Sequence, residues 1–127
     1  MVDQLEDGGH VERPSTAAAL RAVPRHMFRP DVSVATAYAD QPQPTGDGQT
    51  VSAPHAVAWI TDELALSPGD HILEVGTGCG YHAAVTAAVV DDGRVWSVEC
   101  RGSLAGAARE RLSRLGCDVS VRHSLSG

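Results

Sequence analysis

The stretch Ile72-Leu-Glu-Val-Gly76-Thr-Gly78-Cys-Gly80-Tyr81 constrains the fold more than any other part of the chain. His71 to Val75 reads as a short buried strand that passes into three glycines at alternate positions, and an Ala/Val-rich helix, Tyr81 to Val90, follows without a gap. A strand that turns sharply into a helix is the opening of an α/β unit. The glycines lack Cβ atoms, so the backbone there can turn tightly and lie against a ligand.

The segments that follow repeat the alternation. Asp91-Asp92-Gly93 reads as a turn into a strand over Arg94 to Glu99, and Ser103 to Leu115 as an amphipathic helix with its Arg and Glu residues outward. Gly116 stands where a helix stops, and Asp118 to Arg122 begins a third strand. Such a β-α-β-α-β series with tight connections predicts parallel strands, right-handed crossovers and helices covering the sheet. Upstream, Ser67-Pro68-Gly69-Asp70 is a turn. A helix over about 54 to 66 precedes it, with Pro54 in the first turn and either Ser52 or the Ala53-Pro54 pair at its start. Residues 30 to 54 show little periodicity, the first dozen read as frayed, and a short helix is expected from Arg13 to Val23, where Pro24 interrupts it.

Composition narrows the function classes. The chain of 127 residues carries 16 acids against 10 bases, a formal charge of −6. All the bases are Arg, and their sparse placement speaks against nonspecific nucleic-acid binding, which rests on neutralising phosphates. No apolar run approaches the roughly 20 residues of a membrane span. The polar, acidic start, MVDQLEDGGHVE, resembles no signal or transit peptide, so a cytoplasmic location is expected. Cys79, Cys100 and Cys117 form no C-x-x-C pair, and the six histidines show no ligand spacing, so neither a disulfide framework nor a metal site is expected.

The glycine loop carries the chemistry. Its spacing is G-x-G-x-G rather than the G-x-G-x-x-G of dinucleotide sites, which bring a pyrophosphate to the helix N-terminus. Glu74 stands two residues before the first glycine, where it would repel a phosphate and suit a cation. Glu99 closes the next strand, 23 residues after Gly76, and a carboxylate there can accept both hydroxyls of a ribose. Two acids around the loop fit the sulfonium and amino groups of S-adenosylmethionine better than a dinucleotide. A dinucleotide site and a bare structural turn are the competing readings.

Four segments then identify a resemblance: VPRHMF (Val23 to Phe28), AYAD (Ala37 to Asp40), GDGQTVSAPHAVA (Gly46 to Ala58) and ILEVGTGCGYHAAV (Ile72 to Val85). In this order and spacing they resemble protein-L-isoaspartate O-methyltransferase, over about residues 13 to 123. GQTVSAPH is the specific part, since methyltransferases in general share the glycine loop. The resemblance implies a class I S-adenosylmethionine-dependent methyltransferase fold, Rossmann-like, with an N-terminal helical and loop extension over 1 to 54 and the cofactor-binding part over 55 to 127. The implied activity is methyl transfer from S-adenosylmethionine to the α-carboxylate of L-isoaspartyl residues in damaged proteins, whose ester closes to a succinimide that can reopen as aspartate. Ser52 would be the active-site hydroxyl. Gln49, Thr50 and Val51 would lie against cofactor and substrate backbone, while Glu74, Gly76, Thr77, Gly78, Cys79, Gly80 and Glu99 would hold the cofactor. Read without the family, Ser52 is a plain helix N-cap. His55 is a candidate helper beside a capping or packing role, and His26 reads as structural.

Two features depart from the family pattern. Where the family places an Asp that grips the adenine amino group, this chain has Leu125. The family also continues past this point, so the chain reads as an N-terminal portion with an incomplete parallel sheet. The strand Ile72 to Val75 would then be an open edge, and self-association through it is expected. A catalytically silent remnant that binds S-adenosylmethionine weakly, or an interaction module, is the second reading.

Overall fold

A computed structural model describes residues 1–44 and 50–124, and its contacts divide the chain into two units, Met1–Ala65 and Leu66–Gly127.

In the first unit the N-terminal dozen is more ordered than the sequence reading expects. Helix α1 spans Val2–Asp7 and buries Val2 and Leu5, with Val11 buried just beyond it. The acidic composition hides this, because only an i, i+3 apolar pair marks the buried face. Its acids also serve helix α2, Pro14–Ala22, whose Arg21 reaches Asp3 at 2.9 Å and Glu6 at 2.5 Å. A 3₁₀ turn follows at Arg25–Phe28. Within the stretch read as irregular lies a further helix, α3, at Val34–Tyr38. Ser33 caps it by accepting the Thr36 N–H at 3.2 Å, which lets five residues hold a helical turn. Two short strands, β1 (Gln43–Pro44) and β2 (Thr50–Val51), pair antiparallel. Helix α4, Pro54–Glu63, is tied to the start of α2 by Asp62. The Asp62 carboxylate accepts the Glu12 and Arg13 N–H groups at 3.2 and 3.0 Å, while Arg13 Nε donates to the Asp62 carbonyl at 2.9 Å.

The second unit is the expected α/β series. Strands β3 (His71–Val75), β4 (Arg94–Glu99) and β5 (Val119–His123) form a parallel sheet in that order. Leu73 lies opposite Trp96, and Ser97 opposite Val121. Helices α5 (Tyr81–Val90) and α6 (Gly102–Arg114) form the two crossovers. Both connections step the same way across the sheet, so right-handed crossovers place both helices on one face. The core lies there: Ala83, Ala84, Val85 and Val90 from α5, Ala105, Ala108 and Leu112 from α6, and Val95 and Val121 from the sheet. Ala and Val fill most of it, with Tyr81 of α5 also buried, allowing close helix–sheet approach.

One expectation is corrected. The sequence reads His71–Val75 as a buried strand, yet Leu73 and Val75 are 66% and 72% exposed. Strand β3 pairs on one side only among the described residues, and its outward side chains lie on the sheet face opposite α5 and α6. Trp96 is also exposed on that face, edge-on to His71 with ring centroids 5.7 Å apart.

Candidate functional site

Two clusters carry the residues singled out by the sequence, one in each unit.

The second unit holds the glycine loop between β3 and α5. Gly76, Gly78 and Gly80 have φ values of 95°, 56° and 94°, all in the left-handed region where glycine is favoured. The loop leaves β3 as Gly76 N–H donates to the Val98 carbonyl at 2.7 Å, and closes on Thr77 as Gly80 N–H donates to its carbonyl at 3.0 Å. A Cβ on Gly76 or Gly78 would meet nothing within 4 Å, so those two present bare backbone to open space. A Cβ on Gly80 would meet Leu112 of α6 at an ordinary contact distance of 3.4 Å, so it is the positive φ rather than crowding that favours glycine there. From α6, Arg111 donates to the Cys79 carbonyl at 2.8 Å and fixes the loop's far side.

Both expected acids flank this loop. Glu99 is 3% exposed, and its two oxygens accept the Gly78 and Arg101 N–H groups, each at 2.9 Å. Burial alone would raise its pKa, but these backbone donors, with Cys100, outweigh burial and hold it below the ordinary value. Glu99 is therefore a fixed anion at the end of β4, beside the loop. Glu74 behaves differently. Burial, opposed by the Ser97 hydroxyl and aided by the nearby Glu99 charge, pushes its pKa up to about 7. Ser97 Oγ donates to Glu74 Oε1, and Thr77 Oγ1 lies 2.6 Å from Ser97 Oγ. Ser97 has one proton to give, so Thr77 is the donor to it, and the three groups form a directed chain ending on the carboxylate. Protonation of Glu74 can reverse that chain. Near neutrality the loop thus has one permanent and one half-titrated acid.

The first unit holds Ser52. Strand β2 leads into it and α4 leaves it, but Ser52 does not cap α4: the N-cap is Ala53, with no capping side chain of its own. The cap comes from Asp40, whose Oδ1 accepts the His55 N–H at 2.8 Å. The same oxygen accepts the His55 Nδ1 side of the ring at 2.9 Å, leaving Nε2 facing away from Asp40. Burial would raise the Asp40 pKa, but the His55 contacts, with a smaller contribution from His10, bring it below the ordinary value. Behind Ser52, the wholly buried Arg25 donates from Nε to the Ala37 carbonyl at 2.5 Å and from Nη2 to the Ser52 carbonyl at 3.1 Å. His26 meets the Tyr38 hydroxyl through Nδ1 at 3.0 Å, in keeping with its structural reading. Ser52 itself is exposed, and Val51 is half-buried beside it.

Of the expected site residues, Glu74, Gly76, Thr77, Gly78, Cys79, Gly80 and Glu99 gather at one loop, and Thr50, Val51 and Ser52 are consecutive at the other. Gln49 and Leu125 lie outside the described residues. Sequence reasoning missed Arg25 and Asp40, although both fall in the quoted segments VPRHMF and AYAD.

Comparison with known proteins decides the family. A model of the family described as protein-L-isoaspartate(D-aspartate) O-methyltransferase (PCMT) matches residues 1–126. The chain belongs to this family. It is 44% identical over 125 residues to a protein-L-isoaspartate O-methyltransferase of Methanothermobacter thermautotrophicus, covering 97% of this chain and 58% of that protein. It is 49% identical over 117 residues to the protein of that name from Ignicoccus hospitalis, covering 91% of this chain and 56% of the other. The PCMT chain thus spans little more than half the length of these curated relatives. Among solved structures, a protein-L-isoaspartate O-methyltransferase superposes with a TM-score of 0.85 at 27% identity, over 98% of this chain and 42% of that one. A Plasmodium falciparum protein assigned to the same activity, in complex with S-adenosyl-L-homocysteine, gives a TM-score of 0.84 at 22% identity, over 97% of this chain and 61% of that one. The fold is that of a class I S-adenosylmethionine-dependent methyltransferase, here a three-stranded parallel sheet with its helices.

Proposed function

We propose that the chain carries S-adenosylmethionine-dependent methyl transfer to the α-carboxylate of L-isoaspartyl residues in damaged proteins. The observation that carries this reading is the convergence of three PCMT segments on Ser52. Arg25 of VPRHMF holds its carbonyl, Asp40 of AYAD caps the helix behind it, and the serine hydroxyl is left out of the cap.

The residues of the second unit suit the cofactor. Glycine backbone at Gly76 and Gly78 is bare, Glu99 can accept ribose hydroxyls, and Glu74 can take up negative charge beside a cationic group. Thr77, Cys79 and Gly80 complete the loop that would hold it. Bound S-adenosylmethionine supplies an electrophilic methyl on its sulfonium. The acceptor carboxylate is already a nucleophile, so the chain needs no strong base. Its task is to orient that carboxylate and exclude water, and positioning of this kind can supply several kcal/mol. Ser52 Oγ would donate to one carboxylate oxygen and leave the other to react, with Gln49, Thr50 and Val51 against cofactor and peptide backbone.

The working environment in this proposal is the cytoplasm. Its three cysteines are free, and no helix among the described residues is long and apolar enough to cross a membrane. Its partners are damaged proteins rather than nucleic acids, and a second copy of the chain can pair along β3.

The test is incubation of the chain with labelled S-adenosylmethionine and an isoaspartyl peptide, beside the aspartyl counterpart. Labelled ester on the isoaspartyl peptide alone is expected, and Ser52→Ala should reduce it at least tenfold. Cofactor binding in a calorimeter without any ester would favour the silent remnant instead.

A further inference from the structure

Arg25 is the most deeply buried charged side chain of the first unit, with no exposed surface at all. A guanidinium is costly to bury, and a hydrophobic residue of similar volume would fill the same space more cheaply. What the guanidinium does that an apolar group cannot is hold two backbone carbonyls at fixed separation. Nε takes the Ala37 carbonyl and Nη2 the Ser52 carbonyl, so groups 12 and 27 residues away along the chain are joined through one planar fork. Both carbonyls sit at element ends. Ala37 lies in the last turn of α3, where carbonyls lack helical partners, and Ser52 lies just before the N-cap of α4.

We infer that Arg25 is a positioning residue for Ser52, setting the backbone from which the serine hydroxyl projects. The inference rests on the reading of Ser52 as the hydroxyl that meets the substrate carboxylate. Ser52 is held on both sides: its own carbonyl by Arg25, and the helix start three residues later by Asp40. Its exposed side chain makes no cap, so its direction follows from where the backbone is pinned. Misplacing a reacting group by about 1 Å can cost on the order of 100-fold in rate. Lysine cannot replace this fork, because one ammonium donates from a single point and cannot span both carbonyls in the same geometry.

The experiment compares the wild-type chain with Arg25→Lys and Arg25→Ala. Turnover is measured on an isoaspartyl peptide with labelled S-adenosylmethionine, and amide hydrogen exchange is followed by mass spectrometry. The expected result is a fall in kcat of about 10- to 100-fold per folded molecule, with KM for S-adenosylmethionine within twofold of wild type. Exchange should quicken in residues 51–56 while Tyr81–Val90 keeps its protection. Millimolar guanidinium should restore part of the kcat of Arg25→Ala, and tetramethylammonium at the same concentration should not. A merely structural role would lower the folded fraction without this rescue. Wild-type kcat in folded Arg25→Lys would overturn the inference, as would unchanged exchange across 51–56. If the wild-type chain forms no ester, the reading of Ser52 fails, and the exchange data alone decide whether Arg25 pins that segment.

Discussion

Replacing Glu74 by Gln should make the protein more stable at pH 8 and leave it nearly unchanged at about pH 4, below the unfolded pKa. The folded chain raises the Glu74 pKa from 4.5 to about 7, with burial as the main cause. An acid whose pKa is raised by folding opposes folding wherever the unfolded chain has released its proton and the folded chain has not done so freely. The cost is absent below the unfolded value, grows between 4.5 and about 7, and is complete above that. At about 1.4 kcal/mol for each tenfold difference in proton affinity, the full cost is ~3 kcal/mol. Gln keeps an oxygen that can accept from Ser97 and removes the charge that burial and Glu99 disfavour. Urea denaturation from about pH 4 to 8 is the assay. His82 complicates the wild-type curve, because burial lowers its pKa and its contribution falls as pH drops through the same window. It does so equally in both proteins, so the difference between them isolates Glu74. The curves should diverge as pH rises, by ~3 kcal/mol at pH 8. Parallel curves, or a variant less stable at pH 8, would refute the argument.

Three further outcomes are open to measurement. Gly93→Ala should destabilise far more than Gly76→Ala in a thermal melt: its Cβ would fall 2.1 Å from the Asp70 carbonyl, whereas Gly76 meets only the strain of its positive φ, about 1 to 2 kcal/mol. Asp40→Ala should cost about 1 kcal/mol by removing the cap of α4, with little of it from the half-exposed ion pair to His55. The wild-type contribution of Asp40, whose pKa is lowered, should be present above the unfolded carboxylate range and fade as pH falls through the folded value. Size-exclusion chromatography at increasing concentration should show self-association, and Val75→Lys on β3, one edge of which pairs with no strand among the described residues, should suppress it; a wild-type monomer throughout would count against edge pairing.

The second unit was legible because its signals are local. His71–Val75, Tyr81–Val90 and Arg94–Glu99 match the sequence reading residue for residue, since turns at Ser67–Asp70 and Asp91–Gly93 bound each run and glycines mark the loop between them. The burial of β3 was not legible, because apolar composition records what a strand can bury and not what covers it. In the first unit the signals are weaker or long-range. Helix α3 had one local sign, Ser33 three residues before Thr36, inside a stretch whose Pro and Gly content argued for loop. The roles of Arg25 and Asp40 leave no periodic trace, since their partners lie 12 to 27 residues away. The charge state of Glu74 depends on Ser97 and Glu99, which reach it only through the pairing of β3 with β4.

That last dependence changes the reading of the loop. As a sequence, two acids around three glycines suggest two equivalent anions awaiting a cation. In the structure they are unlike. Glu99 has its charge stabilised in advance by two backbone N–H groups, one from the glycine loop itself, so it fixes the loop as much as it awaits a ligand. Glu74 has the Ser97 hydroxyl as its partner and a carboxylate neighbour, and keeps its proton about half the time near neutral pH. A sulfonium or ammonium placed beside it would lower its pKa and expel that proton. Binding of S-adenosylmethionine near pH 7 should then release about half a proton per site, visible as a binding enthalpy that changes with the ionisation heat of the buffer. Glu74→Gln should bind with an enthalpy independent of buffer, and the same buffer dependence in both proteins would assign the proton elsewhere.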